Sequence, residues 1–285
     1  VQGDLRTKGW VPNARLLVSS TGYGTEINCR IDRKDKCQTE EVQVQSITIV
    51  SPGNVMKITL KNPLSYTHLG ESIAIPGAEN GETVERRATV ALLDRNINVK
   101  GTDVEGFGAQ TMMLSGQMVL DYVEFGPFVG QAFQLGRYAV HFHTPNEPLF
   151  KNGLQTSNDP RMQGSHQALS RVRGCAIHGS NNRAVAVHGC HFLPVERNIA
   201  YNILGHAMFI EDGIEQHNVL KENVVMMVHQ SWSLLNTDTT PACFWISNSN
   251  NRFIRNRAIG STHHGYWFDP PGGPTGPSSG RKIVI

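Results

Sequence analysis

Hydrophobic residues along the chain occur in short runs, and polar turn residues separate these runs. The segments VQVQSITIV (42–50), VMKITL (55–60), ATVALL (88–93) and MMLSGQMVLDYVEF (112–125) have the length and composition of β-strands. Gly, Asn, Asp and Pro lie between them, and the periodicity of an amphipathic helix is scarce throughout the chain. This pattern predicts an all-β protein.

The second half of the sequence repeats itself. Asparagine recurs at the same place in three of four aligned segments, as Asn198, Asn223 and Asn256, with spacings of 25 and 33 residues. The longer spacing contains an insertion, residues 230–242. Repeats of this length that consist of short strands are typical of a solenoid. The four segments are VRGCAIHGS (172–180), ERNIAYNIL (196–204), KENVVMMVH (221–229) and IRNRAIGST (254–262).

The spacing leaves no room for helices that cross between strands, so we predict a right-handed parallel β-helix over residues 86–285. Two loops are predicted to be inserted into it, at residues 144–168 and 230–242, because neither has a regular period. Residues 1–85 are predicted to form a β-rich N-terminal segment. Equivalent residues of successive coils should stack on one another, so the recurring asparagines should form a ladder in which each side-chain amide bonds to the next.

A second set of aligned strands indicates which residues face the interior. Side chains at alternate positions of a strand point to the same face, and two of these positions are apolar in every coil. The residues between them, including His141 and His143, are therefore predicted to point outwards. The inward positions are Val140, Val185, Met208, Phe244 and Tyr266 in one column and Phe142, Val187, Ile210, Ile246 and Phe268 in the other.

Imidazole and carboxylate groups stack on this predicted outer face. His143, His188 and Glu211 occupy one column, with His141 beside one end and Asp212 beside the other. Neighbouring strands lie about 4.7–4.9 Å apart, so the three histidines and Glu211 can reach one divalent metal ion. Without a metal, Glu211 and Asp212 are candidates for general acid and base catalysis. The alternative is that these side chains only form hydrogen bonds with one another along a solvated ladder.

Aromatic side chains continue the outer face below this column. Phe209, Trp245 and Trp267 form a strip that suits the apolar faces of sugar rings. Arg137 enters the outer strand just before the histidines, where its charge suits a substrate carboxylate. Two alternatives remain open. The inserted loops or the N-terminal segment can cover the strip as a second small core, and Arg137 can pair with a carboxylate of the histidine column.

Composition narrows the range of partners and compartments. The chain has 26 Lys and Arg against 24 Asp and Glu without a block of like charge, which argues against a nucleic-acid partner. No apolar run approaches the roughly 18–20 residues of a transmembrane helix. Of the five cysteines, Cys29 and Cys37 bracket a polar segment and are candidates for a disulfide. The other three lie in strand-like stretches and are predicted to be buried thiols.

Several motifs resemble one family. The segment around residues 19–47 and six further motifs are similar to the β-helix region shared by fibrocystin-L, the cell-migration-inducing hyaluronidase and the transmembrane hyaluronidase. The resemblance covers nearly the whole chain, in order. The six motifs are SYTHLGE (65–71), LLDRNINVKG (92–101), LGRYAVHFH (135–143), CAIHGSNNRAVAVHG (175–189), LGHAMFIEDGIE (204–215) and PTGPSSG (274–280).

The resemblance implies an extracellular or cell-surface protein with parallel β-helix repeats. Two family members are linked to hyaluronan depolymerisation, but the residues proposed for that reaction lie largely in an upstream glycine-rich domain. The resemblance therefore carries none of those residues onto this chain. The HFH, VHG and EDG motifs do match, at His141, His143, His188, Glu211 and Asp212.

Three functions remain open after the sequence analysis. The first is a structural and adhesive section of a large surface protein, with a glycan or neighbouring domains and chains as partners. The second is a hyaluronidase-like enzyme with a metal-assisted His/Glu site on the outer strand face. The third is glycan recognition without catalysis, through the aromatic strip. Fold class alone does not distinguish them.

Overall fold

The protein has two compact units, residues 1–95 and residues 96–285. Almost all regular structure is β-strand, and the described residues contain no α-helix. Strands are numbered below in chain order. The structure is a computed structural model that describes residues 5–22, 37–51, 55–102, 104–143, 170–232 and 235–280.

The N-terminal unit is built on an antiparallel sheet. Its strands are β1 (Arg15–Val18), β2 (Glu40–Ser51), β3 (Val55–Leu60), β4 (Ile73–Ala74), β5 (Thr83–Val84) and β6 (Val90–Leu92). Four of them form a sheet in the order β3-β2-β1-β6, while β4 and β5 form a separate antiparallel pair. Leu16 of β1 is buried between Val44 and Leu92 of the flanking strands. Because β6 pairs with β1, it belongs to this unit, although the sequence-based boundary after residue 85 assigned it to the β-helix.

The second unit consists of three parallel sheets that run along the stack of coils. One contains β7 (Ile97–Val99), β10 (Val123–Phe125), β13 (Ala176–Ser180), β16 (Ile199–Leu204), β19 (Val224–His229) and β22 (Arg257–Ser261). Another contains β8 (Thr111–Met113), β11 (Val140–His143), β14 (Val185–His188), β17 (Met208–Ile210), β20 (Ala242–Ile246) and β23 (His264–Phe268). The remaining sheet contains β9 (Val119–Asp121), β12 (Arg171–Arg173), β15 (Pro194–Glu196), β18 (Val219–Lys221) and β21 (Arg252–Ile254).

Successive strands of the chain enter the three sheets in turn, and the named strands of these sheets pair in parallel. The predicted parallel β-helix is therefore confirmed. The segment 112–125, predicted from its apolar run, divides into β8, β9 and β10 because one coil must contribute to all three sheets. Short 3-10 helices occur at Arg6–Lys8, Asn236–Thr239 and Gly276–Ser278.

The predicted inward columns form one continuous core. Val140 and Phe142 of β11 are fully buried, and their equivalents in β14 and β17 are at most 1% exposed. In the last coil, Tyr266 and Phe268 keep the predicted register with Phe244 and Ile246, but they are 48% and 55% exposed. The reason is that β23 is the edge strand of its sheet, so its inward side chains pack against a coil on one side only.

The asparagine ladder is confirmed at the corner that precedes β16, β19 and β22. Asn198 Nδ2 donates to Oδ1 of Asn223 at 3.0 Å, and Asn223 Nδ2 donates to Oδ1 of Asn256 at 3.0 Å. The residue before each asparagine has a left-handed conformation, with φ between 50° and 56° at Arg197, Glu222 and Arg255. The ladder also satisfies a backbone group of the turn, because the backbone N–H of Asn198 donates to Oδ1 of Asn223 at 3.0 Å.

Cysteine chemistry follows the sequence interpretation where the structure describes it. Cys175, Cys190 and Cys243 are buried and are not disulfide-bonded. Cys37 is disulfide-bonded, and Cys29 lies outside the described residues. The predicted loop at residues 144–168 also lies outside them.

Candidate functional site

Strand register brings the predicted histidine column together. His143 of β11 lies opposite His188 of β14 in the parallel sheet. The next coil continues this register past the end of β17, because the backbone N–H of Glu211 donates to the carbonyl of Val187 at 3.1 Å. Glu211 therefore follows His188 in the stack. His141 completes the group, since its ring stacks on that of His188 with centroids 5.7 Å apart.

Three polar atoms converge at this place without a hydrogen bond. His141, His188 and Glu211 each offer one metal-ligating atom, and these atoms lie within 4.8 Å of one another. Among the described residues, His141 Nε2, His188 Nδ1 and Glu211 Oε2 are buried and have no hydrogen-bond partner. A buried polar atom without a partner is costly, so three of them at one point indicate a site for a ligand.

Fixed hydrogen bonds on the far side of each imidazole determine its tautomer. His141 Nδ1 lies 2.8 Å from the carbonyl oxygen of Gly136, which can only accept, so Nδ1 carries the proton. His188 Nε2 donates to Oδ2 of Asp212 at 3.0 Å. In the neutral rings, the lone pairs of His141 Nε2 and His188 Nδ1 are consequently the ones available at the cluster. This arrangement matches that of metal-ligating histidines, whose second nitrogen donates to a carbonyl or a carboxylate.

The two histidines differ in their affinity for protons. Burial lowers the pKa of His141 to about 3, so this ring stays neutral at physiological pH. Burial also opposes protonation of His188, but the hydrogen bond to Asp212 and the negative charges of Glu211 and Asp212 raise its pKa above the usual value. The cluster therefore favours positive charge beside His188, carried by a proton or by a metal ion.

His143 flanks the cluster and is not among the three side chains whose ligating atoms lie within 4.8 Å of one another. Its ring centroid lies 4.6 Å from that of His188 and 5.0 Å from that of His141. The side chain is partly exposed, and the Glu211 side chain is 14% exposed. The cluster thus opens to solvent on the side of His143 and Glu211, while His141 and His188 are buried.

Asp212 supports the cluster from behind. It is 2% exposed, and Nε2 of His188 donates to its carboxylate, so it is placed to orient that ring and has little access to a substrate. Glu215 holds the same turn, because its carboxylate accepts hydrogen bonds from the backbone N–H groups of Gly189, Asp212 and Gly213. Burial raises the pKa of Glu215 to about 7. The EDGIE segment thus supplies Glu211 and the residues that fix its surroundings.

The arginine beside Glu211 is Arg183, whereas the sequence analysis proposed Arg137. Arg183 Nη1 lies 3.9 Å from Oε1 of Glu211, and the side chain is completely buried. Arg137 is exposed, and the ion pairs that the described residues form with Glu211 and Asp212 involve Arg183 and His188. The structure therefore does not bring Arg137 into the cluster.

The predicted aromatic strip is mostly buried. Phe209 and Trp245 are 4% and 7% exposed and pack with Tyr138 and Ala186 in a second small core, against which Trp267 is half-buried. The guanidinium of Arg183 lies 3.6 Å from the centre of the Phe209 ring and covers it on one side. The open sugar-stacking surface predicted for Phe209 and Trp245 is therefore not found. The alternative of a covered strip describes these two side chains.

Sequence analysis missed the polar residues that cover the strip. Tyr138 and Arg183 each lie two residues before the first inward valine of their strands, Val140 and Val185, and the register of β11 and β14 stacks them. This shared position could have predicted that the two side chains are neighbours, because both residues lie in the aligned segments. Asp238 lies in the insertion, where no periodicity predicts its neighbours.

Fold and site together define a parallel β-helix that carries a His–His–Glu cluster on an outer strand face. Residues 106–284 match the CEMIP beta-helix family, so the chain belongs to this family and the resemblance found in the motifs is confirmed. The chain is 36% identical to human fibrocystin-L over 96% of its own length and 7% of that relative. It is 29% identical to the human cell surface hyaluronidase CEMIP2 over 96% of the chain and 20% of the relative. It is 28% identical to the human cell migration-inducing and hyaluronan-binding protein, with the same coverage.

The chain thus spans 7% to 20% of the length of these relatives. Within the described residues, no helix has the length and hydrophobicity needed to cross a lipid bilayer.

Proposed function

We propose that this chain is the β-helix section of a cell-surface protein, and that His141, His188 and Glu211 hold one divalent metal ion through which it binds an acidic glycan. The single observation that carries the proposal is the convergence of three buried polar atoms without hydrogen bonds. One cation between them would satisfy all three. The continuous core of stacked coils would serve as the rigid structural section that holds the site.

The donor set favours a metal of the zinc class. Two neutral imidazole nitrogens and one carboxylate oxygen suit Zn²⁺ and related transition metals better than Ca²⁺ or Mg²⁺, which prefer oxygen ligands. The hydrogen bond from His188 to Asp212 is the kind of outer contact that raises the basicity of a histidine ligand. The partly exposed side of the cluster, at His143 and Glu211, leaves room for a ligand from solution.

An acidic glycan fits this open position. A carboxylate of a uronic acid can occupy the remaining coordination position of a zinc ion that has three protein ligands. Two relatives carry names that state a cell-surface hyaluronidase and a hyaluronan-binding protein. Hyaluronan contains a uronic acid in every repeat, which makes it the first glycan to test.

Hyaluronidase-like cleavage is the second candidate, and the number of ligands favours it. Zinc sites with three protein ligands and an open position are typically catalytic, whereas structural zinc sites have four protein ligands. A bound metal ion would lower the pKa of a coordinated water towards 7. Glu211 would then act as a ligand, and Asp212 would orient His188 without transferring a proton to the substrate.

Titration calorimetry with hyaluronan oligosaccharides tests the proposal. The purified chain is measured with Zn²⁺, after EDTA treatment, and after Zn²⁺ is restored. We expect binding that EDTA abolishes and Zn²⁺ restores, and that Glu211→Gln weakens. Glu222→Gln is the matched control, because Glu222 lies in an exposed ion pair with Arg197 on another sheet corner. Binding that is unaffected by EDTA would overturn the role of the metal, and absence of binding with Zn²⁺ bound would overturn the glycan partner.

Size-exclusion chromatography of high-molecular-weight hyaluronan separates the two candidate functions. Shortened chains that appear with the Zn²⁺-loaded protein, and do not appear with Glu211→Gln, would identify an enzyme. Unchanged chain length together with metal-dependent binding would identify a binding module.

A further inference from the structure

A fully buried arginine lies next to the proposed metal site and is held away from it. Arg183 is 0% exposed, and the central carbon of its guanidinium lies 3.6 Å from the centre of the Phe209 ring. Nη2 donates to Oδ2 of Asp238 at 3.0 Å, and Nη1 donates to the hydroxyl of Tyr138 at 2.8 Å. The guanidinium is therefore bound on two sides by groups other than Glu211.

Asp238 is itself fixed by its surroundings. It lies in the 3-10 helix Asn236–Thr239 of the inserted segment and is completely buried. The backbone N–H groups of His206 and Leu235 donate to its carboxylate at 3.3 Å and 3.2 Å. Gly205 allows this close approach, because a Cβ at that position would lie 2.6 Å from Oδ1 of Asp238. The insertion thus holds the Asp238 carboxylate in a fixed position against the Arg183 guanidinium.

Glu211 is the other carboxylate that the described structure places within 4 Å of Arg183. Its Oε1 lies 3.9 Å from Nη1 of Arg183 and 3.5 Å from the hydroxyl of Tyr138, both long contacts. Its Oε2 faces His188 at 3.5 Å. A guanidinium with free donors would form a short bidentate pair with Glu211, and that pair would compete with a metal ion for the same carboxylate.

We infer that Asp238 is a positioning residue that engages Arg183 and so leaves Glu211 available to the metal. This inference rests on the proposed function. The inserted segment, residues 230–242, thereby has a role in the site. In the described structure, none of its residues forms a hydrogen bond or an ion pair with the three candidate ligands. A segment that interrupts the repeat thus increases the affinity of the site for metal.

Metal affinity of paired variants tests this assignment. Zn²⁺ affinity is measured by calorimetry, and the visible absorption of bound Co²⁺ reports the ligand set, for the wild type, Asp238→Asn and Asp238→Asn/Arg183→Gln. We expect Asp238→Asn to weaken metal binding by about tenfold or more. This is the usual effect of replacing a residue that positions a metal ligand without binding the metal itself. The double variant should recover affinity and the Co²⁺ spectrum, because the competing cation is gone. Asn236→Ala, an exposed position of the same 3-10 helix, is the control.

Tyr138→Phe provides a second route if Asp238→Asn does not fold. Loss of the hydroxyl removes one partner of Nη1 with little change in volume, so metal binding should weaken in the same direction. Unchanged affinity in both single variants would overturn the inference, as would a double variant as weak as Asp238→Asn. Absence of metal binding by the wild type would instead overturn the proposed function, so the two failures are distinguishable.

Discussion

Nε2 of His188 lies 3.0 Å from Oδ2 of Asp212, and this hydrogen bond points the other ring nitrogen at Glu211. The two residues belong to successive coils of the solenoid, so their contact depends on the stacking register. Asp212 is also enclosed by the segment near the C-terminal end, where a Cβ on Gly276 would lie 2.6 Å from Oδ1. The carboxylate therefore has one defined position behind the ring.

Removal of the Asp212 charge should weaken the proposed metal site without removing a ligand. We expect Asp212→Asn to reduce Zn²⁺ affinity about 10- to 100-fold, the usual effect of losing a carboxylate behind a histidine ligand. Calorimetry with the purified variant measures this change. Asp269→Asn, at an exposed position of the last coil, should bind Zn²⁺ like the wild type. Equal affinity of Asp212→Asn and the wild type would contradict the assigned role.

The asparagine ladder should stabilise the fold, because its hydrogen bonds are buried and water cannot reach their partners if they are lost. Asn223 is completely buried, accepts from Asn198 and donates to the carbonyl of Val195 at 2.8 Å. Asn223→Ala leaves at least two buried groups without partners, so the free energy of unfolding should fall by about 2–4 kcal/mol. Urea denaturation measures the change.

Asn236→Ala is the matched control for the ladder, because this asparagine is exposed. Its effect should stay within about 0.5 kcal/mol. A similar small effect for Asn223→Ala would show that the ladder does not stabilise the corner.

The fold should lose stability in mild acid because of His206. Burial lowers the pKa of His206 to about 3, although Asp238 nearby opposes this shift. Between that value and the ordinary pKa of about 6.5, the unfolded chain binds a proton that the folded chain does not. The free energy of unfolding should therefore fall by about 1.4 kcal/mol per pH unit from this group as pH decreases from 6.5.

Denaturation curves at several pH values between 4 and 7 measure this slope. His206→Gln retains an acceptor for the backbone N–H of Ala242, which donates to Nδ1 of His206 at 3.1 Å, and should reduce the slope. His263→Gln, at an exposed histidine, should change it much less. Identical slopes for His206→Gln and the wild type would contradict the prediction.

Much of the fold was predictable because a parallel β-helix repeats its environment once per coil. An inward position such as Val140 has an inward equivalent in each neighbouring coil, so apolar columns appear directly in the alignment. The same logic predicts that His141, His188 and Glu211 lie near one another, as they do in the structure. Asn198 and Asn223 were predicted to bond for the same reason.

Residues outside the repeat could not be placed in this way. Asp238 lies in an insertion without a period, so its ion pair with Arg183 depends on a three-dimensional path that the alignment does not contain. The burial of Trp245 stayed open in the sequence because strand register stacks it on Phe209 and Trp267 without showing whether that face is covered. His206, whose ring lies 4.5 Å from that of Trp245, precedes β17 and is not in a strand. Arg137 directly precedes the histidines in the sequence, but the stacking of coils places Arg183 beside Glu211.

Whether His141, His188 and Glu211 hold a metal ion can be observed in a crystal of the chain grown with Zn²⁺, from diffraction data collected at the zinc absorption edge. We expect one anomalous peak per chain, about 2.0–2.2 Å from His141 Nε2, His188 Nδ1 and an oxygen of Glu211. The peak should be absent in His188→Ala. No peak among these three side chains in the wild type, or a peak only at other residues, would contradict the claim.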